Sequence, residues 1–260
     1  MALTGTKAGL GGELTRRSIL LGGALAGVLL MACGGGSQGT SQGAPSSSRA
    51  GTPALTSTEA TAAAGKINLK AADLPGFFAS PHNEAPGDHQ MALEMAQCIG
   101  SRPPGAADIN FYSDDFSQGS GAQITAIFSH VTAVPSVSLA QADLAAMRSA
   151  KTLQCIRQSV ARQPAGQVNQ SGGPSAELTN FEIKSFPVDL AGTDGGFGYR
   201  FTFASGAQAT AYAVKEDAMG FVDGNIEVAL ATVAIGQPIP TAIEQHLLSV
   251  LVSRARSAIH

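Results

Sequence analysis

The sequence is short of almost everything that usually betrays chemistry. Its 260 residues include no tryptophan, 5% aromatic side chains and only 13% charged ones, against roughly a quarter in an average soluble protein. The formal charge of −3 contains no basic run, which argues against a nucleic-acid partner. Three cysteines are present, Cys33, Cys98 and Cys155, with no C-x-x-C pair to suggest structural zinc. No Rossmann glycine pattern occurs, and Gly65-Lys66 lacks the upstream glycine and the following Ser/Thr of a P-loop. Gly35-Gly36-Ser37-Gln38-Gly39 spells the G-x-S-x-G of hydrolases, but in a Gly/Ser tract with no strand or helix to strain the serine turn. No Ser-His-Asp set accompanies it. The expectation is a protein that is not an enzyme and carries no cofactor and no metal.

Long apolar runs are missing too. Residues 18–32 are uncharged but fall short of the roughly 20 residues a membrane-spanning helix needs. Lys7, Arg16 and Arg17 precede them, so the segment reads as an export signal with a positive n-region and a short h-region. Leu30-Met31-Ala32-Cys33 resembles the lipobox of bacterial lipoproteins, and residues 14–20, LTRRSIL, resemble a twin-arginine export motif. The resemblance implies cleavage after residue 32, a diacylglycerol on Cys33, and often an acylated new amino terminus. Membrane lipid, held through Cys33, is then one partner. Two or more acyl chains anchor stably where one does not. Removal of 1–32 takes Glu13 and the three basic residues with it, leaving a net charge of −5. That sign adds nothing to binding at an anionic membrane.

Residues 33–65 begin with the lipidated cysteine and are rich in Gly, Ser, Thr and Ala, with Leu55 the one sizeable apolar side chain. Such a stretch buries too little to offset its ordering entropy and reads as a flexible linker with a reach of roughly 30 Å.

Residues 66–260 carry the folding signals. Asp88 is a good N-cap, and Met91, Met95, Cys98 and Ile99 then fall on one helical face. Residues 109–116 and 122–134 read as strands separated by Gln118-Gly119-Ser120-Gly121, and 138–163 as a long helix broken near Ala150. Residues 163–175 read as a loop, followed by strand after strand to about 235. Phe197, Tyr199, Phe201 and Phe203 alternate onto one face, as do Ala207, Ala209, Ala211 and Ala213 in the next strand. Asp223-Gly224 marks a two-residue hairpin, and Thr241 with Glu244 reads as a capping box. The final helix would show Ile243, Leu247, Val250 and Leu251 to the core. Connections this short demand antiparallel pairing. The expected fold class is α+β, a mostly antiparallel sheet flanked by helices in a single domain.

Candidate sites are few. In an oxidising compartment Cys98 and Cys155, each on an apolar helix face, read as a structural disulfide; the alternative is two buried free thiols. His82, Glu84, Asp88 and His89 gather in a proline-flanked loop whose histidine spacing does not suit a metal. Asp114 and Asp115 point to opposite sides of a strand, His130 reads as a packed strand residue, and His246 as part of a wet helix face. The aromatic set Phe197, Tyr199, Phe201 and Phe203 is either ordinary core facing small alanines, or one wall of a groove for a hydrophobic ligand.

LKAADLPGFFASP (69–81), followed by helical Cys98 and Cys155, resembles the extracellular sensor domains of actinobacterial receptor kinases and related lipoproteins. That resemblance implies an antiparallel sheet flanked by helices, disulfides and a ligand cleft. This chain departs from it in having one possible internal disulfide where two are typical, and no kinase or membrane span. The expected function is a lipid-anchored extracytoplasmic, sensor-like binding domain at the cell membrane, for an unknown ligand or envelope protein. A structural or chaperone-like envelope lipoprotein is the alternative, with an unrecognised hydrolase behind it.

Overall fold

Eight strands join into one antiparallel sheet in the order β1-β3-β4-β8-β7-β6-β5, with β2 also paired to β4. In this computed structural model the described residues are 56–84, 88–105, 107–162, 178–205 and 212–259. The signal segment 1–32, Cys33, the G-x-S-x-G tract and the 163–175 loop lie outside them. The strands are β1 Phe78–Ser80, β2 Ile109–Tyr112, β3 Asp115–Ser120, β4 Gln123–Ala133, β5 Leu178–Ser185, β6 Gly195–Ser205, β7 Tyr212–Asp223 and β8 Ile226–Ile235. Helices α1 Ser57–Ile67, α2 Asp88–Ile99, α3 Val137–Met147, α4 Ala150–Arg162 and α5 Thr241–Ile259 complete the α+β fold. None of the described helices is long and apolar enough to cross a membrane.

Helices cover both faces of the sheet, and that sets the sequence of the central strands. All ten residues of β8 are buried, which is why IEVALATVAI is apolar on both faces except at Glu227 and Thr232. On one face α3, α4 and α2 pack over Phe197, Tyr199, Phe201, Phe203, Val233 and Ile235. On the other, α1 and α5 pack over Ile127, Val131, Met219, Phe221 and Leu230. A disulfide joins Cys98 of α2 to Cys155 of α4 across a Cα–Cα distance of 5.8 Å, as the apolar faces of the two helices require.

Four details differ from the sequence reading. First, α1 begins inside the stretch expected to be linker. Thr56 and Glu59 form a reciprocal capping box (Thr56 N–H to Glu59 Oε2, 3.0 Å), and Ala63, Ala64 and Ile67 are buried against α5. Alanine is the strongest helix former, and its small side chain lets two helices approach closely, so residues from Ser57 onward pack as part of the fold. Second, the run 109–116 is two strands. The chain breaks at Ser113, whose N–H donates to Ser129 O at 2.9 Å and whose hydroxyl accepts from Ser129 N–H at 2.9 Å. β2 and β3 thereby share one edge of β4 end to end.

Third, the β7–β8 turn residues are Gly224 and Asn225, one position later than expected. Gly224 sits at φ +61°, and Asn225 Nδ2 donates to Val134 O at 2.8 Å. Fourth, α5 is rotated. Glu244, Leu247, Leu248, Leu251, Val252 and Ala255 face inward, while Ile243 is 40% exposed. Glu244 causes this: instead of capping its own helix, its carboxyl turns to the sheet and accepts from Thr232 Oγ1 at 2.9 Å.

Candidate functional site

β6 outruns β5. Their pairing ends at Ser185–Tyr199, closed by Phe186 N–H to Gly198 O at 2.9 Å, and the earlier residues of β6 have no strand on that side. The chain after β5 climbs over the opposite face of β6 instead. It can do so because that face is glycine: a Cβ on Gly196 would meet Val188 at 2.9 Å, and one on Gly198 would meet the Phe186 ring at 2.5 Å. Between this crossing segment and the α3–α4 corner lies a cleft of about 570 Å³. That volume suits a small molecule or a short piece of another chain. Arg148 and Ser149 form its helical side, Phe186 and Val188 the other, and Phe197 and Tyr199 its floor. Arg148 Nε donates to Gly196 O at 2.8 Å, and the Tyr199 hydroxyl donates to Met147 O, so the helical side is tied to the sheet at two points.

The four aromatics that alternate along β6 therefore divide. Phe197 and Tyr199 border the cleft, though they expose only 6% and 2% of their surface, whereas Phe201 and Phe203 lie wholly in the core. Their cross-strand partners are Gly220, Ala218, Glu216 and Val214, not a row of alanines. Ala207, Ala209 and Ala211 lie outside the described residues, and Ala213 pairs with Ala204 and is exposed.

A second polar region runs beneath α3 on the same face. His82, Tyr112 and His130 stack, with ring centroids 4.4 and 4.2 Å apart, because Tyr112 and His130 are direct cross-strand neighbours and the 81–84 segment folds over them. His82 Nδ1 lies 2.7 Å from Asp115 Oδ1 at the outer end. At the inner end His130 Nε2 and Thr132 Oγ1 both reach Asn110 Oδ1, at 3.1 and 2.9 Å. Burial, with His82 nearby, lowers the His130 pKa to about 3, so the ring is neutral. Beyond Thr132 come Glu227, Asp143 and Arg102. Arg102 holds Asp108 through Nη1 at 2.7 and 2.9 Å and stands 3.6 Å from Asp143. Burial works against its charge, but Asp108, Asp143 and Glu227 raise its pKa. Glu227 is fully enclosed; burial first, then the charge of Asp143, pushes its pKa well up. A void of about 10 Å³, the size of one water, lies among His130, Thr132 and Glu227.

Of the titratable groups named from the sequence, His82, Asp115 and His130 are brought together here, and the others are not. Glu84 and His89 are exposed, and His246 is exposed on α5. Asp114 falls in the break between β2 and β3 rather than on a strand and is exposed, and Asp115, the first residue of β3, is the one that meets a histidine. No cluster of three metal-ligating side chains forms among the described residues. The acids that the sequence reading passes over, Asp143, Glu216 and Glu227, carry one visible signal. Glu216 and Glu227 are in phase with the apolar alternation of β7 and β8, where a charge does not belong.

No protein-family model matches the chain, and no curated protein matches it. Among solved structures, the extracellular domain of PknH from Mycobacterium tuberculosis is similar at 14% identity and a TM-score of 0.34, over 78% of this chain and 93% of that one.

Proposed function

We propose that the chain is a lipid-anchored extracytoplasmic domain that binds a small ligand or an envelope partner in the cleft between the α3–α4 corner and β6, and that it is not an enzyme. The observation that carries the binding role is the cleft itself, an opening of about 570 Å³ at a sheet edge left bare by the end of β5. The Cys98–Cys155 bridge supports an oxidising compartment, and the LMAC tetrapeptide at 30–33 supports the anchor and the export route. With Phe197 and Tyr199 beneath and Arg148 beside it, the cleft offers apolar surface with a cation at its rim, which suits a largely hydrophobic ligand.

Native mass spectrometry of the full chain purified from its host in detergent tests the reading. A small molecule or a defined protein should co-purify, and Arg148→Ala with Ser149→Trp, which fills the rim, should abolish its retention. A chain that emerges empty, or a ligand kept equally by the blocked variant, would refute the cleft. Cys33→Ala should release the protein from membranes; a variant still pelleting after alkaline wash would refute the lipid anchor.

A further inference from the structure

The α5 face of the sheet holds a second cluster of ionisable groups, away from the cleft. Asp217 of β7 is 1% exposed, and Arg200 of β6 binds it with two bonds, Nε to Oδ1 and Nη2 to Oδ2, each 2.8 Å. Lys215 of β7 stands 3.4 Å from the same carboxylate. Onto this group α5 lowers Glu244, itself 3% exposed, in the first turn of the helix. Glu244 accepts from Thr232 Oγ1 of β8 at 2.9 Å, and Thr232 is the direct cross-strand neighbour of Asp217, which sets the two carboxyls side by side on this face. Among the described residues, the charged groups that face it from the packed strands are Asp217, Lys215 and Arg200, and Thr232 is the neutral partner. Two neighbouring carboxyls held mostly out of water repel each other when both are ionised, which favours a proton on one of them. Asp217 already has its cation, which leaves the proton on Glu244.

We propose that Glu244 and Asp217 form a proton-operated clasp that seats the N-terminal turns of α5 on the sheet and releases them when the proton is lost. The reach of such a release is set by the packing. α5 shares its layer with α1, and Arg254 of α5 binds Asp73 at 2.7 Å and the Asn68 carbonyl at 2.9 Å just beyond the end of α1. Loosening α5 therefore loosens the segment through which the domain joins the preceding chain. Burial, then the charge of Asp217, raises the Glu244 pKa from 4.5 to about 7, Thr232 and Lys215 opposing. An acid raised in the folded state stabilises fully below its unfolded pKa and loses that contribution as pH rises through the folded one. The clasp is shut at pH 5 and open at pH 8.5.

Hydrogen exchange on the full chain, corrected for intrinsic rates, tests this. A shift of that size corresponds to at most about 300-fold in the opening equilibrium, and partial screening by solvent brings the expectation to between about tenfold and a hundredfold. Amides of residues 241–248 should lose protection by that factor between pH 4 and 8.5, while those of β4 keep theirs. Glu244→Gln, which is never charged and keeps the bond from Thr232, should hold α5 protected at both pH values. Protection of α5 that ignores pH in the wild type would overturn the clasp. So would a Gln variant that keeps the wild-type dependence, or a loss shared equally by β4.

Discussion

Removing the Cys98–Cys155 bridge by Cys98→Ala with Cys155→Ala should cost the domain about 4 kcal/mol. The residues are 57 apart in sequence, and closing a loop of that length in the unfolded chain is worth about that much in the chain-entropy model. Little else offsets the loss. Cys155 is buried at 2% exposure beside Ile156, so trimming its sulfur leaves only a small void, and α2 keeps Met95, Ala96 and Ile99 in the core. For a domain of roughly 200 residues, 4 kcal/mol corresponds to a fall in Tm of about 10 °C. Urea titration and calorimetry of wild type, double variant and reduced wild type measure it. Reduction and mutation should agree within about 1 kcal/mol, and the denaturant slope should rise because the unfolded chain gains reach. A loss below about 1 kcal/mol in both would mean that α2 is held by its own packing, and that the bridge does not carry the α2–α4 contact.

The buried charges yield three further expected outcomes. Arg102→Ala leaves Asp108 and Asp143, 3% and 1% exposed, without their cation; it should destabilise by about 3 kcal/mol at pH 7 by urea titration, and a loss below about 1 kcal/mol would refute the role of the ion pairs. Glu216 is fully buried, and among the described residues neither of its carboxyl oxygens has a hydrogen-bond partner; burial raises its pKa well above the usual value, so Glu216→Met should stabilise by about 1–3 kcal/mol, and a loss instead would show the oxygens to be bonded. The His130 ring, with its pKa lowered to about 3, should show no titration in 15N spectra between pH 8 and 4.5. Its lowered pKa costs stability as pH falls from about 6.5 towards 3, and a midpoint near 6.5 would contradict its burial.

Much of the architecture can be read from residue order because local and tertiary signals agree there. Asp88 starts α2 and its apolar spacing runs true; the break near Ala150 falls between α3 and α4; short connections force the strands antiparallel. The failures share one cause, side chains whose role is set by a partner far along the chain. Alanines 63 and 64 look like linker until α5, nearly two hundred residues later, supplies a surface for them. Glu244 looks like a cap because Thr232 and Asp217 cannot be seen from its own helix. The cleft is half legible: Phe197 and Tyr199 stand out in the alternation, but the opening depends on where residues 186–190 cross β6, a tertiary path that alternation does not encode.

The glycines of β6 carry one last implication, for how this protein can diversify. Gly196 and Gly198 leave no room for any other side chain, since a Cβ there would strike Val188 or Phe186. One bank of the cleft is thus closed to change except at the expense of the fold. The other bank, Arg148, Ser149 and Ala150, is solvent-facing or partly so, and sits at a corner between two helices. Any retuning of what the cleft accepts has to be written on that bank, and variation confined there would mark the opening as under selection for a partner.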